Sequence, residues 1–407
     1  MTEKKNRLTR RGFISRSLAG IAAAGVAGVA PSLASGEEQA AGKAGESKAI
    51  YRELGKTGLK IPIVSMGVMN SNNPELIGAS YDHGVRMFDT AARYQFGRNE
   101  QMVGTAISEL GIRDKVMIGT KEWRPAQREG MTDAEAKEKF IKLTEGSLKR
   151  LKTDYVDIVY IHSVHSVEEL DEQGAFSAMD QLKKDGKVRA TGVSTHESMA
   201  VVINKVVDDK LCDVVLTAFN VSMADDTALL EAIDRAAAAG IGVIAMKTQS
   251  GGRRLPNQAS LSGYSSATVN QAMLKWVLRN KSITTAVPGF TSLEHVAEDV
   301  AVIGDIEYTE DEKRFLADNE LQLGLGFCRQ CRMCMATCPN GVDVPALMRT
   351  HMYLAQYGNL CEARAALDEA RPGRGVEACR SCSICTAKCS NAVDIGYRIE
   401  ELKALLV

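Results

Sequence analysis

Between Ile61 and Ile303, short continuous runs of apolar residues alternate with longer stretches whose apolar positions recur every three or four residues. The short runs are IVSMGVM, VRMFDTA, KVMIGTK, YVDIVYIHS, VRATGVST, VVLTAFN, IGVIAMKT and ITTAVPGF. Unbroken apolar runs of this length mark strands buried on both faces, as in a parallel sheet. The stretches between them read as amphipathic helices. In DAEAKEKFIKLTEGSLKRLK, for example, Phe140, Thr144, Leu148 and Leu151 fall on one helical face. Eight strand–helix repeats predict an α/β fold, a (β/α)8 TIM barrel, assigned here to residues 51–320. A doubly wound open sheet is the alternative, although such sheets rarely repeat so regularly.

The pattern changes at the N-terminus. A basic stretch with adjacent Arg10 and Arg11 precedes a small-residue apolar stretch from Leu18 to Ala30, and Ser32-Leu33-Ala34 offers a cleavage site. The order Thr9-Arg10-Arg11-Gly12-Phe13-Ile14 resembles a twin-arginine export signal. A signal peptide is therefore expected over residues 1–34 and a solvated linker over 35–50. The protein would meet the twin-arginine machinery and be exported, in a bacterium to the periplasm. That route carries folded proteins and suits a cofactor inserted beforehand. No apolar run reaches the roughly 18 residues of a membrane helix, so no stable transmembrane helix is expected after cleavage.

At the other end the chemistry changes. The chain has ten cysteines, none of them in its first 211 residues. Cys328, Cys331, Cys334 and Cys338 are spaced C-x2-C-x2-C-x3-C and followed by Pro339. The spacing recurs at Cys379, Cys382, Cys385 and Cys389, with Ser390 in place of the proline. Three thiolates of such a run reach three corners of an iron–sulfur cube, and the fourth ligates the cluster of the other run. The expectation is two 4Fe–4S clusters, one on Cys328, Cys331, Cys334 and Cys389, the other on Cys379, Cys382, Cys385 and Cys338. Structural zinc would use two C-x2-C pairs and leave the third cysteine of each run without a role. Disulfides are the other alternative for an exported chain. Between the runs, VPALMRTHMYLAQYG and LCEARAALDEA look helical. Residues 321–407 are accordingly expected to form a small, mainly helical ferredoxin-like domain, either close to the barrel or hinged to it at about residues 304–326. Cys212 and Cys361 stand apart and read as small buried hydrophobes.

Charge excludes little but narrows the partners. A net charge of −1 with 25% charged residues gives no basic face for nucleic acid.

In a barrel, chemistry sits at the C-terminal ends of the strands. The second run ends in Asp89, with Tyr94 five residues on; the third ends in Lys121 and the fourth in His162. Four titratable groups on three adjacent buried strands are costly unless paired or used. Together they permit proton donation to a carbonyl. A nearby ammonium would lower the phenol's pKa, a carboxylate would hold the lysine, and a histidine would orient the carbonyl oxygen.

The segments YRELGKTGLKIPIVSMG, FDTAARYQFGRNE, GTK, LKTDYVDIVYIHS, GKVRATGVST and VPGFTSLEHVAED together resemble the aldo/keto reductase family over almost all of 51–303. The C-terminal part resembles the ferredoxin-type extension carried by one branch of that family. The resemblance implies hydride transfer between NADP or NAD and a small carbonyl or alcohol, with Tyr94 as the acid. Lys121 and Asp89 would assist it, and His162 would place the substrate. The family's nicotinamide contacts after the fifth strand and on the sixth fall on Ser194, Thr195 and Leu216, where Thr195 and Leu216 depart from its pattern. Its ring-stacking position falls on Met246, next to Lys247, and its basic phosphate pair aligns with Gly289 and His295. Loss of that pair argues against a strong NADP preference. Gly251 and Gly252 would let backbone approach a phosphate, with Arg253 and Arg254 beside them. Two functions follow. One is an exported oxidoreductase that couples carbonyl chemistry to electron transfer through two clusters, with a one-electron donor or acceptor protein as partner. The other is an electron-transfer or interaction protein whose barrel no longer uses a nicotinamide.

Overall fold

The computed structural model describes residues 49–125, 130–250, 263–318, 326–370 and 372–406, all within one compact unit spanning 44–407. The expected signal, most of the linker, and Gly251 to Arg254 lie outside the described residues.

A two-stranded antiparallel hairpin, β1 (Tyr51–Glu53) and β2 (Lys60–Pro62), leads into eight parallel strands. These are β3 (Met66–Gly67), β4 (Met87–Asp89), β5 (Met117–Glu122), β6 (Val156–Ile161), β7 (Val188–Thr195), β8 (Val214–Ala218), β9 (Gly242–Met246) and β10 (Thr285–Ala286). Each pairs with the next in chain order, and parallel bridges Val64↔Ala286 and Gly67↔Gly289 join the first to the last. The sheet is therefore a closed barrel, and the open-sheet alternative is not formed.

Each of the eight runs supplies one strand because its side chains are buried whichever way they point. Inward-pointing Met87, Ile158, Tyr160, Ala190, Val214, Leu216, Ile244 and Val287 share one interior cluster. Alternate residues, such as Phe88, Val159, Val193 and Val215, pack outward in the main core shared with the helices. The helix Asp133–Leu151 begins at a capping box between Thr132 and Glu135, and buries Phe140, Thr144, Leu148 and Leu151 as its periodicity predicts.

The hairpin was not legible in the run pattern. It delivers Leu54, Leu59 and Ile61 into the interior cluster. Gly242, at the start of β9, admits it: a Cβ there would stand 2.4 Å from Leu54 Cδ1. The hairpin thus plugs the N-terminal end of the barrel and leaves the C-terminal mouth for chemistry.

Of the segment 304–326, residues 304–318 and 326 are described. It contains a helix, Glu310–Ala317, closed by a second capping box between Thr309 and Glu312. Phe315 packs with Val221, Val269, Ala272 and Met273, and Lys275 Nζ lies 2.9 Å from Glu312 Oε2. The buried phenylalanine and the Lys275–Glu312 pair bind this helix to the barrel. Beyond it, the C-terminal segment is mainly helical: Val344–His351 continues as a π turn over Met352–Gln356, followed by Leu360–Asp368 and Ile395–Leu406. Phe327, Met352, Tyr353, Ala363 and Ala366 belong to the barrel's main core. The tail is therefore docked, and it covers the mouth.

Candidate active site

Strand alternation puts Asp89, Lys121 and His162 on the inner side, one layer above Met87 and Tyr160. Lys121 Nζ donates to Asp89 Oδ1 and, at 2.7 Å, to the Thr90 carbonyl. It stands 5.1 Å from the centre of the Tyr94 ring. The Tyr94 and His162 rings meet edge-on at 5.8 Å, and the Trp123 ring backs His162 at 5.7 Å. Tyr94 comes from a loop rather than a strand. Gln95 and Phe96 after it take left-handed backbone, with φ of 50° and 58°. Asn99 ties this loop down: its Nδ2 donates to Val68 O and Ser71 O at 2.9 and 3.0 Å, and its Oδ1 accepts from Thr90 at 2.7 Å. All four groups line one cavity of about 540 Å3.

Burial dominates the electrostatics. It raises the Asp89 carboxyl, against the pull of Lys121. It pushes the Tyr94 phenol well above its ordinary value, helped by the charges of Asp89 and Glu362 and opposed by Arg93. This corrects the expectation that a neighbouring ammonium lowers the phenol. The Lys121 charge is engaged by Asp89 and Thr90, and loss of solvent outweighs it. Tyr94 therefore remains a proton donor. Burial, then the cations Arg93 and Lys121, holds His162 well below the usual imidazole range, so its ring is neutral.

Of the positions aligned with nicotinamide contacts, Ser194, Met246, Lys247, Gly289 and His295 line the same cavity. Thr195 and Leu216 do not. The Thr195 hydroxyl lies 2.8 Å from the carbonyls of both Val164 and Glu197, and Leu216 is buried in the barrel interior. Burial, then Arg349, pushes the Lys247 ammonium down to about 7. Its Nζ lies 3.0 Å from the Tyr353 hydroxyl.

The tail supplies the roof, which the sequence reading missed. Arg349, Tyr353, Gln356, Tyr357, Glu362 and Glu369 line the cavity. Glu369 accepts from Arg93 of the barrel loop and from Arg349 of the tail, both at 2.6 Å. These two cations outweigh burial and hold its carboxyl below the usual range. Arg349 also donates to Gln330 Oε1 at 2.8 Å and approaches Glu197 at 3.6 Å. One signal was available: Glu362 and Glu369 stand seven residues apart, on the face of LCEARAALDEA that carries Ala366.

None of the ten cysteines is in a disulfide. Cys328, Cys331, Cys334 and Cys389 line one small cavity, and Cys338, Cys379, Cys382 and Cys385 line another. Amide donors reach the sulfurs: Gln330 Nε2 to Cys328 at 3.2 Å and Asn340 Nδ2 to Cys382 at 3.1 Å. Among the described residues, no three His, Cys, Asp or Glu side chains gather tightly enough for a single metal ion. Cys212 and Cys361 are half-buried rather than fully so.

Residues 68–266 match the aldo/keto reductase family. The chain is 32% identical over 158 residues to the aldo-keto reductase YhdN of Bacillus subtilis, a match covering 35% of this chain and 46% of that protein. It is 27% identical over 307 residues to L-galactose dehydrogenase of Arabidopsis thaliana, covering 67% of this chain and 94% of the relative. Among solved structures, the aldo-keto reductase AKR11C1 from Bacillus halodurans in its holo form superposes with a TM-score of 0.55 at 20% identity, over 66% of this chain and 95% of that one. An aldo/keto reductase from Klebsiella pneumoniae in complex with NADP and acetate gives 0.51 at 24% identity, over 66% and 94%.

Proposed function

We propose that the chain, whose residues 68–266 match the aldo/keto reductase family, is an exported oxidoreductase which interconverts a carbonyl and an alcohol in the barrel and carries single electrons in the tail. The observation that carries this reading is the grouping of Asp89, Tyr94, Lys121 and His162 around a cavity that Ser194, Met246, Lys247, Gly289 and His295 also line. Its volume of about 540 Å3 lies within the range of small-molecule sites.

A bound nicotinamide would supply or accept the hydride. Tyr94 donates its proton to the carbonyl oxygen, and the high phenol pKa keeps that proton in place until the oxygen becomes basic. Lys121, fixed by Asp89 and Thr90, stands beside the phenolate that forms. Neutral His162 orients the oxygen, and the tail excludes water. The two cysteine quartets fit two 4Fe–4S clusters: each lines its own cavity, amide donors face the sulfurs, and the members of each set are those expected from the spacing. Clusters held there would carry one electron each, which implies a one-electron partner protein. Export by the twin-arginine route agrees with cofactors inserted before crossing.

A second reading, a barrel that no longer uses a nicotinamide, has its own support in Thr195 and Leu216, which turn away from the cavity. One anaerobic experiment separates the two. The purified chain should contain about eight iron and eight sulfide per polypeptide. Adding NADPH or NADH should bleach the visible absorbance and produce a paramagnetic signal. A chain that dithionite reduces but neither nucleotide does, and that retains no nucleotide, fits the second reading.

Lys247 gives this proposal a pH signature. With its ammonium near 7 in the free protein, an anionic nucleotide favours the charged form, so binding takes up a proton. The dissociation constant for NADPH should therefore rise about tenfold from pH 6 to pH 8. Lys247→Met should flatten this dependence in titrations at each pH. An unchanged slope would remove Lys247 from the site.

A further inference from the structure

The cavity is roofed by a carboxylate that proton donation to a carbonyl does not require. Glu362 stands in the first turn of the helix Leu360–Asp368, and its side chain is 4% exposed. Its Oε2 lies 3.9 Å from Arg93 Nε, too far for a hydrogen bond. Its Oε1 is buried and has no hydrogen-bond partner. Glu369 takes the hydrogen bonds of both Arg93 and Arg349, which leaves Glu362 beside Arg93 without a hydrogen bond to it. It is close enough to the reacting phenol for its charge to push Tyr94 upward.

Glu362 is one of several such groups. Thr248 Oγ1, His162 Nδ1 and His196 Nδ1 are also buried without a partner, and all three residues line the same cavity. Each such atom is costly to bury unless water or a ligand completes it. An apolar aldehyde, whose one oxygen can partner only His162, would leave the other three incomplete. A cationic ligand would face Lys121, Lys247, Arg93 and Arg349, and a carboxylate ligand would be repelled by Glu362. A hydroxyl both donates and accepts, so it satisfies a carboxylate oxygen, a threonine hydroxyl or either imidazole tautomer.

From this arrangement we infer that Glu362 is a substrate-binding residue, accepting hydrogen bonds from hydroxyl groups of a polyhydroxylated carbonyl or alcohol of the sugar or cyclitol class. The tail then sets specificity for chemistry that the barrel performs. This inference rests on the carbonyl–alcohol reading of the barrel.

The test is a binding titration on the full chain, which needs no turnover. Trp123, one of two tryptophans, has its ring 5.7 Å from His162, so its fluorescence reports occupancy of the cavity. The probes are D-glucose, D-galactose, D-xylose and myo-inositol, with pentanal and cyclohexanone as apolar counterparts. The wild-type chain should bind at least one polyhydroxylated probe about tenfold more tightly than the apolar pair. Glu362→Ala should remove about tenfold of that affinity, Glu362→Gln somewhat less, and both should leave the apolar probes within about twofold. Equal weakening of both probe classes would make Glu362 a latch between tail and barrel. Unchanged polyol affinity, or no polyol preferred in the wild type, would equally overturn the inference. NADPH-dependent reduction of pentanal tests the barrel separately: its absence alongside intact, Glu362-dependent polyol binding would sink the oxidoreductase reading alone.

Discussion

Tyr94→Phe should lower kcat for carbonyl reduction by about 10²–10⁴-fold while leaving nucleotide affinity within about twofold. The substitution removes one oxygen and keeps the ring, so the edge-on contact with His162 at 5.8 Å survives and the loop stays in place. What is lost is the proton that the developing alkoxide must receive. The raised phenol adds a second readout. Because burial holds Tyr94 well above its ordinary value, the rate should not decline through loss of this proton below about pH 10. Neutral His162, held well below its usual range, should add no acid limb near pH 6.5. A rate unchanged by the substitution would show that the barrel does not use this acid.

The barrel was legible because its strands are buried on both faces, which turns each into an unbroken apolar run. The cluster of Asp89, Lys121 and His162 was legible for a related reason: a charged or titratable residue ending such a run has nowhere to point but the mouth. The roof obeys the opposite rule. Glu362 and Glu369 lie on an amphipathic helix, where carboxylates ordinarily face water. Only docking of the tail turns them inward, and docking leaves no local pattern. The hairpin escaped because its strands span three residues each, too few to show a period. Leu216 shows the limit of carrying a contact across by alignment. Its strand position points into the barrel, but one layer below the cavity, where a leucine fills the core. The phenol shows another limit. Sequence reveals that an ammonium is near and that a carboxylate would hold it, but not that the ring is cut off from solvent.

Glu369→Ala should be the most destabilising single change in the tail, by about 3 kcal/mol, the low end of what breaking a buried ion pair costs. Glu369 binds a cation on each side of the junction, Arg93 from the barrel and Arg349 from the tail, both at 2.6 Å. Its loss leaves two buried guanidiniums short of a partner. The low end applies because Arg349 keeps Gln330 at 2.8 Å and Glu197 at 3.6 Å, while Arg93 still stacks 4.8 Å above Trp123. A loss of this size should move the first urea transition down by roughly 1 M, read by Trp123 fluorescence, with the tail becoming sensitive to protease first. The wild-type pair should also respond to acid with a definite sign. A carboxyl held below its unfolded value contributes stability above that value, near pH 4.5, and loses it as pH falls through the lowered one. The wild-type tail should therefore stay docked from neutral pH to about pH 5 and loosen below it, whereas Glu369→Ala should be loosened at every pH. If the variant unfolds in a single transition like the wild type, then apolar contacts such as Tyr353 and Ala366 hold the roof, and the ion pair only orients it.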